Sequence, residues 1–317
     1  MNPNRLFFIK LFVFLILVLV LNMGLHVVYD HWMYYFKLAR NQDEQFKECP
    51  DSLKYLMLGN SHNRINPETL GNAFCYITPK EVYKQTYFKL KYILEKTNKR
   101  PENILLSIDP VNFSPKAENE LAFDGYWKKY LDYFQMARED HDPAYLLNWA
   151  AGNFFSYVGN YKYAYMSILF FNYDFQKIKK GYFPPRNYKN FAKEPNREEL
   201  GYFIANAYLA SYDKRPALGD TRYYRRILTL CRQYNIHLVL LRMPFTDEYL
   251  RYAEKLVDLD ALDQKIIEIT SANCSDYEVF DFRHEFRGQP DFFFNADHVN
   301  PAGALIISNK IKSALDH

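Results

Sequence analysis

From Leu11 to Val28 the sequence reads LFVFLILVLVLNMGLHVV, 18 residues without a formal charge. A helix apolar on every side needs apolar surroundings all round, and about 20 such residues span the hydrocarbon core of a bilayer. Phe7–Ile9 extend the stretch across the single Lys10, while Asn22 and His26 dilute its last third. Arg5 and Lys10 precede it and Asp30 follows it. The positive-inside bias then leaves the N-terminus cytoplasmic and the rest of the chain beyond the cytoplasmic membrane, in the periplasm or at the cell surface. A cleaved leader, with Asn2–Lys10 as its basic end, and a buried helix are the rival readings. The apolar stretch is long for a leader, and no small-x-small cleavage site follows it. Tyr29, Trp32, Tyr34 and Tyr35 have the make-up of an interfacial aromatic belt. The expected organisation is a cytoplasmic tip and single-pass transmembrane anchor over 1–28, a juxtamembrane linker over 29–50 with a polar stretch over 37–52, and an extracytoplasmic domain from 51 to 317.

The whole chain of 317 residues is 49% hydrophobic and carries 40 Lys+Arg against 37 Asp+Glu, a balance that excludes disorder. Without the two basic residues ahead of the span, the net charge of +3 falls to about +1. A domain that binds nucleic acid through its phosphates needs a basic excess, so nucleic acid is not an expected partner. Tyr, Phe and Trp make up 18% of the chain, which suits a large core, a carbohydrate-facing cleft or a membrane-proximal surface. Cysteines 49, 75, 231 and 274 form no C-x-x-C pair and show no zinc spacing, so neither a metal nor a cofactor is expected. Cys49 and Cys75 flank a candidate strand and its following loop and could close a short disulfide ring in an oxidising compartment; four buried thiols are the alternative.

Along the domain, short apolar runs alternate with helical patterns. Lys54–Leu58, Asn103–Ile108, Ile236–Leu241 and Glu278–Phe282 read as strands. Pro79–Lys96, Asp220–Gln233, Thr246–Asn273 (one or two helices) and Pro301–Leu315 read as helices, the last with Asn300 as N-cap and Pro301 at its first position. This alternation implies an α/β fold with a parallel sheet covered by helices on both faces. Residues from about 113 to 215 break the pattern. They are rich in Tyr, Phe, Trp and Asn, contain the loop Gly181–Pro185, and are expected to form a mostly helical insertion, either over the carboxyl edge of the sheet, where such folds bind ligands, or as a structural subdomain without substrate contact.

Two segments carry chemistry: Leu58-Gly59-Asn60-Ser61-His62, directly after the first strand, and Asn295-Ala296-Asp297-His298-Val299-Asn300-Pro301-Ala302-Gly303, directly before the last helix. A serine in the turn after a central strand is exposed at the carboxyl edge beside backbone N–H groups. It becomes a nucleophile when a base takes its proton and a carboxylate orients the base. His298 can reach the same edge, with Asp297 or a nearby group orienting it.

At these residues the sequence resembles the SGNH (GDSL-type) hydrolase superfamily, and within it the membrane-anchored branch that includes cell-envelope acyl-transfer proteins. Gly59-Asn60-Ser61 corresponds to the nucleophile block and Asn295-Ala296-Asp297-His298 to the Asp-x-x-His block. Ser61-His62 and His298-Val299-Asn300-Pro301-Ala302-Gly303-Ala304 echo the Ser-His and His-Leu-Asn-x-x-Gly-Ala runs of the envelope branch. The resemblance extends over residues 51–317 and implies a three-layer, flavodoxin-like sheet. Asn295 stands where the family has its acid, which leaves three possibilities: Asp297 takes over, the site works as a dyad, or it is impaired. For the oxyanion, Asn112 in Asp109-Pro110-Val111-Asn112 is the candidate side-chain donor, Gly71 and Asn72 compete for the place, and the Ser61 N–H contributes. Asn295 is also a candidate for orienting His298.

The resemblance implies a serine esterase or O-acyltransferase that carries an acyl group, acetyl by expectation, on Ser61 with His298 as base. The substrate would be a cell-envelope polysaccharide or acyl-sugar, and an integral membrane acyltransferase would be the donating partner. The alternative is a non-catalytic glycan-binding or scaffolding protein of the same fold, motivated by Asn295; lipid or thioester hydrolysis has no distinctive signal. His62 reads as a supporting or surface residue, and His237 and His284 are not assigned to the site. Phe292–Phe294 reads as core. Arg242 and Arg283 read as salt-bridge partners, with an anion site as the alternative.

Overall fold

Leu56–Leu58, Ile104–Leu106 and Leu238–Leu241 are completely buried. Neighbouring strand residues point to opposite faces, so a sheet with such runs is covered on both sides. The computed structural model describes residues 3–32, 34–115, 127, 129–154, 179–182, 190–215 and 217–316. Its sheet has five strands: β1 (Ser52–Leu58), β2 (Ala73–Cys75), β3 (Arg100–Ser107), β4 (His237–Arg242) and β5 (Tyr277–Asp281). All are parallel, in the order β2-β1-β3-β4-β5. The order reverses between β1 and β3, and at such a reversal the carboxyl ends of the strands open a crevice for a ligand.

Among the described residues the helices are α1 (Pro3–Trp32), α2 (Tyr34–Glu48), α3 (Pro67–Leu70), α4 (Tyr83–Lys96), α5 (Tyr133–Glu139), α6 (Ala144–Phe154), α7 (Arg197–Leu209), α8 (Arg222–Gln233), α9 (Asp247–Leu256), α10 (Leu259–Asn273) and α11 (Pro301–Leu315). Helices α4, α8 and α10 pack side by side, α7 packs on α9, and α11 packs on α3. A small antiparallel hairpin, β6 (Phe293–Asn295) and β7 (His298–Val299), leads into α11. Asn300 begins α11: its Oδ1 accepts from the N–H groups of Ala302 and Gly303, while its Nδ2 holds the Asp291 carbonyl.

The chain divides into two compact units, one of residues 1–41 with 123–175, the other of 42–122 with 176–317. In the first, Asn4–Val28 of α1 is long and apolar enough to cross a membrane, and none of it is buried. The antiparallel pair α5 and α6 belongs to the same unit, with Phe134 and Trp149 in ring contact at 5.6 Å. The expected insertion over 113–215 is therefore not one block. Its 123–175 portion belongs with the N-terminal residues and has its own buried Trp127, Tyr133 and Met136. The loop expected at Gly181–Pro185 is a tight bridge between Lys179 and Tyr182, with residues 183–189 outside the described residues. The side chains of the aromatic belt at Tyr29–Tyr35 also lie outside them.

Most of the expected linker over 29–50 is helical, because α2 has an apolar contact to make. Phe46, one helical turn from Gln42, packs against the rings of Phe74 and Tyr76 at 5.0 and 4.7 Å. Gln42 donates to the carbonyls of Ile77 and Gly181 at 3.2 and 2.9 Å. Residues 42–50 accordingly fall in the same compact unit as the sheet. All four cysteines are free thiols, so Cys49 and Cys75 are not paired; the Cys49 Sγ–H donates instead to the Phe46 carbonyl at 2.9 Å.

Candidate active site

The site begins where β1 ends. Gly59 takes a positive φ of 105°, a conformation that side chains oppose, and the chain turns sharply over the carboxyl edge. The buried Asn63 amide donates to the carbonyls of Leu58 and Leu105, both at 2.9 Å, tying the turn to the ends of β1 and β3. Asn60 Oδ1 accepts from the His62 N–H at 3.0 Å, and Asn60 Nδ2 donates to Asn112 Oδ1 at 2.7 Å. Ser61 is thus presented at the switch point, and its backbone N–H donates to no described residue.

The other half arrives on the β6–β7 hairpin. Its two-residue turn is Ala296-Asp297, and the Ala296 carbonyl accepts from both the N–H and the hydroxyl of Thr246, at 3.1 and 3.0 Å. Ser61 Oγ lies 2.8 Å from His298 Nε2. On the far side of the ring, His298 Nδ1 lies 2.8 Å from Asp297 Oδ1 and 3.2 Å from Asn295 Oδ1. Adjacent side chains in an extended strand point apart, but the tight turn folds Asp297 back onto its neighbour. The structure therefore brings Ser61, His298, Asp297 and Asn295 together. Phe294, from the Phe292–Phe294 run, lies 5.3 Å from the His298 ring and carries the Arg64 guanidinium 5.0 Å above its own ring. Arg64 Nε also donates to the Ser61 carbonyl at 3.1 Å.

Asn112 belongs to the same edge: besides accepting from Asn60, its amide donates to the Ser107 carbonyl at 3.3 Å. Gly71 and Asn72 do not. Asn72 donates to the Ser52 carbonyl at 2.9 Å, at the amino end of β1 and hence the opposite edge of the sheet. Their candidacy as oxyanion donors fails because the chain has crossed the sheet through α3 before reaching them. Arg242 and Arg283 face carboxylates, Arg242 Nη1 with Asp281 at 2.8 Å and Arg283 Nη2 with Asp263 at 2.6 Å. His237 pairs with Asp276 at 2.5 Å, away from the site.

Two groups that the motifs leave unread complete the centre. His62 Nε2 lies 3.0 Å from Asp297 Oδ2, and its Nδ1 lies 3.1 Å from Asp109 Oδ2. Asp109 in turn accepts from the Ser107 hydroxyl at 2.6 Å and from the Met243 N–H at 3.3 Å. The signals available in the sequence are the histidine beside the serine and the Ser-x-Asp pattern after β3. Burial resists protonation of His62, but the hydrogen bonds to Asp109 and Asp297 outweigh it and push the imidazole up to about 10. Burial and the nearby His62 charge push His298 down to about 4 against the pull of Asp297. Burial disfavours the Asp297 carboxylate too, yet His298 and His62 hold it well below the usual range. At neutral pH the centre holds an ionised Asp297 and a neutral His298, the state a general base requires.

His62, Asp297 and His298 offer ligand atoms within 4.8 Å of one another, a grouping that suits a metal by residue type. Each is engaged: both His62 nitrogens face carboxylates, and the His298 nitrogens face Ser61 and Asp297. A cation would have to displace these contacts. No protein-family model matches the chain, and no curated protein matches it.

Proposed function

We propose that the protein is a membrane-anchored, extracytoplasmic serine esterase or O-acyltransferase of SGNH-like type that carries an acyl group, acetyl by preference, on Ser61. The observation that carries the reading is the hydrogen-bonded series Ser61 Oγ to His298 Nε2 and His298 Nδ1 to Asp297 Oδ1, each 2.8 Å long. Ser61 Oγ attacks the ester carbonyl while its proton passes to His298 Nε2. The Ser61 N–H, with the Asn112 amide as second candidate, receives the oxyanion. Collapse expels the alcohol, protonated by His298, and leaves the acyl-enzyme. A water or a sugar hydroxyl then gives its proton to His298 and attacks the acyl carbon, and as the ester bond to Ser61 breaks His298 returns the proton to Ser61 Oγ. An envelope glycan or acyl-sugar suits an anchored domain of this kind, and an integral membrane acyltransferase suits the role of donor. The series strengthens the enzymatic reading over a glycan-binding or scaffolding module, since Asp297 supplies the charge that Asn295 lacks.

An activated acetyl ester tests the reading. The wild-type chain should form an ester on Ser61 detectable by peptide mass, and Ser61→Ala should lower turnover by about 10³-fold or more. Equal rates for the two proteins, with Ser61 unmodified, would end it.

A further inference from the structure

His62 lies between two carboxylates in the interior. A neutral imidazole has one N–H and one lone pair. One of its contacts, 3.1 Å to Asp109 or 3.0 Å to Asp297, would then oppose lone pair and anion where His62 is only 5% exposed. Both contacts are hydrogen bonds only when both nitrogens carry protons. We infer that His62 is a fixed imidazolium lodged between Asp109 and Asp297, a positioning residue that locks Asp297 onto His298 and leaves His298 free to act as the base for Ser61.

This deepens the serine-hydrolase reading and rests on it for its catalytic meaning. Asp297 uses Oδ1 for His298 and Oδ2 for His62, so two rings fix the rotation of one carboxylate. The His62 ring meets the His298 ring edge to face at 4.5 Å. Two carboxylates and one imidazolium leave a single net negative charge beside His298, the charge that one acid supplies in a triad. With His62 neutral, two buried anions would favour a protonated His298, and the base would be spent before substrate arrived. The proton of Ser61 stops at His298; His62 holds its own throughout the cycle. Among the described residues, the ionisable groups that face this cluster are Asp109 from the loop after β3, Asp297 and His298 from the hairpin, Arg64 from the turn after β1, Tyr83 from α4, Tyr249 from α9 and Tyr208 from α7. Only the two aspartates among them supply negative charge at neutral pH.

Nitrogen-detected histidine NMR on the full chain in detergent, run with Ser61 labelling by a fluorophosphonate over the same pH range, tests the assignment. Wild type should show His62 doubly protonated across neutral pH. His62→Gln should move the titration of His298 up by about one pH unit or more, with the acid limb of labelling moving alike. Asp109→Asn keeps the cation, removes its outer anion and should move both down, which preserves the test if His62→Gln does not fold. A role in packing alone would change amplitudes and leave the titration in place. Unmoved titration in the folded variants, a neutral His62 spectrum, or one zinc ion per chain bound through His62 overturns the inference. Displaced His298 titration with no Ser61 adduct in wild type supports the role of His62 and defeats the hydrolase reading instead.

Discussion

Asp297 and Asn295 both approach His298 Nδ1, and charge separates their roles. In the proposed acylation His298 would become an imidazolium, and only a carboxylate would stabilise it by more than a hydrogen bond. Asp297→Asn is expected to lower the acylation rate by about 10⁴-fold, whereas Asn295→Ala should cost about tenfold or less, compared as kcat/KM on one activated ester. His298 must be neutral to accept the Ser61 proton, and burial with the neighbouring His62 charge pushes it down to about 4. Activity should therefore rise as pH passes upward through about 4 and hold a plateau at neutral pH. Ser61 and His298 are legible in the sequence because turn glycine, serine and histidine stand at the ends of predictable elements. Asp297 is harder to read, since sequence adjacency argues against contact until the two-residue turn is known. His62 is harder still, because a buried charge is defined by its partners, and Asp109 and Asp297 lie 47 and 235 residues from it.

At the scale of elements, β3 and β4 announce themselves through unbroken apolar runs, and α11 through Asn300 and Pro301 at its start. β2 has three residues, too few to carry a pattern, and α2 hides because from Lys37 onward its sequence is mostly polar, with Phe46 supplying the apolar contact. The segment between β2 and α4 is held by a feature with no sequence signature. Lys89, fully buried on α4, donates to the Tyr76 carbonyl at 2.7 Å, Thr78 Oγ1 at 3.0 Å and Glu81 Oε2 at 2.6 Å. Removing one member of such a pair leaves the other charge buried without compensation. Lys89→Met should destabilise the protein by about 3–5 kcal/mol in urea unfolding, and Lys89→Met combined with Glu81→Gln by clearly less. An equal loss in both would show that side-chain packing, and not the ion pair, sets the cost.

For the whole molecule, the parallel sheet and the apolar N-terminal helix follow from periodicity and composition, while the division into two units does not. Residues 123–175 are distant in sequence from 1–41, and nothing in their local pattern marks the association. If Asn4–Val28 spans the bilayer with its N-terminus cytoplasmic, the chain should stay in the membrane fraction through alkaline carbonate extraction, and protease added outside the cytoplasmic membrane, to cells stripped of any outer membrane, should reach the domain. Recovery of a soluble chain that begins after residue 28 would show a cleaved leader instead. The two halves of the candidate centre also lie far apart along the chain, with Ser61 and His298 separated by 237 residues. Synthesis runs from the N-terminus at roughly 5–20 residues per second, so Ser61 precedes His298 by about 10–50 s. For that interval Ser61 has no base beside it, and under the proposed function the unfinished chain would be unable to take up an acyl group. On that reading reactivity would begin only when the β6–β7 hairpin meets the β1 turn, so completion of the chain, and not the appearance of Ser61, would set the moment of activation.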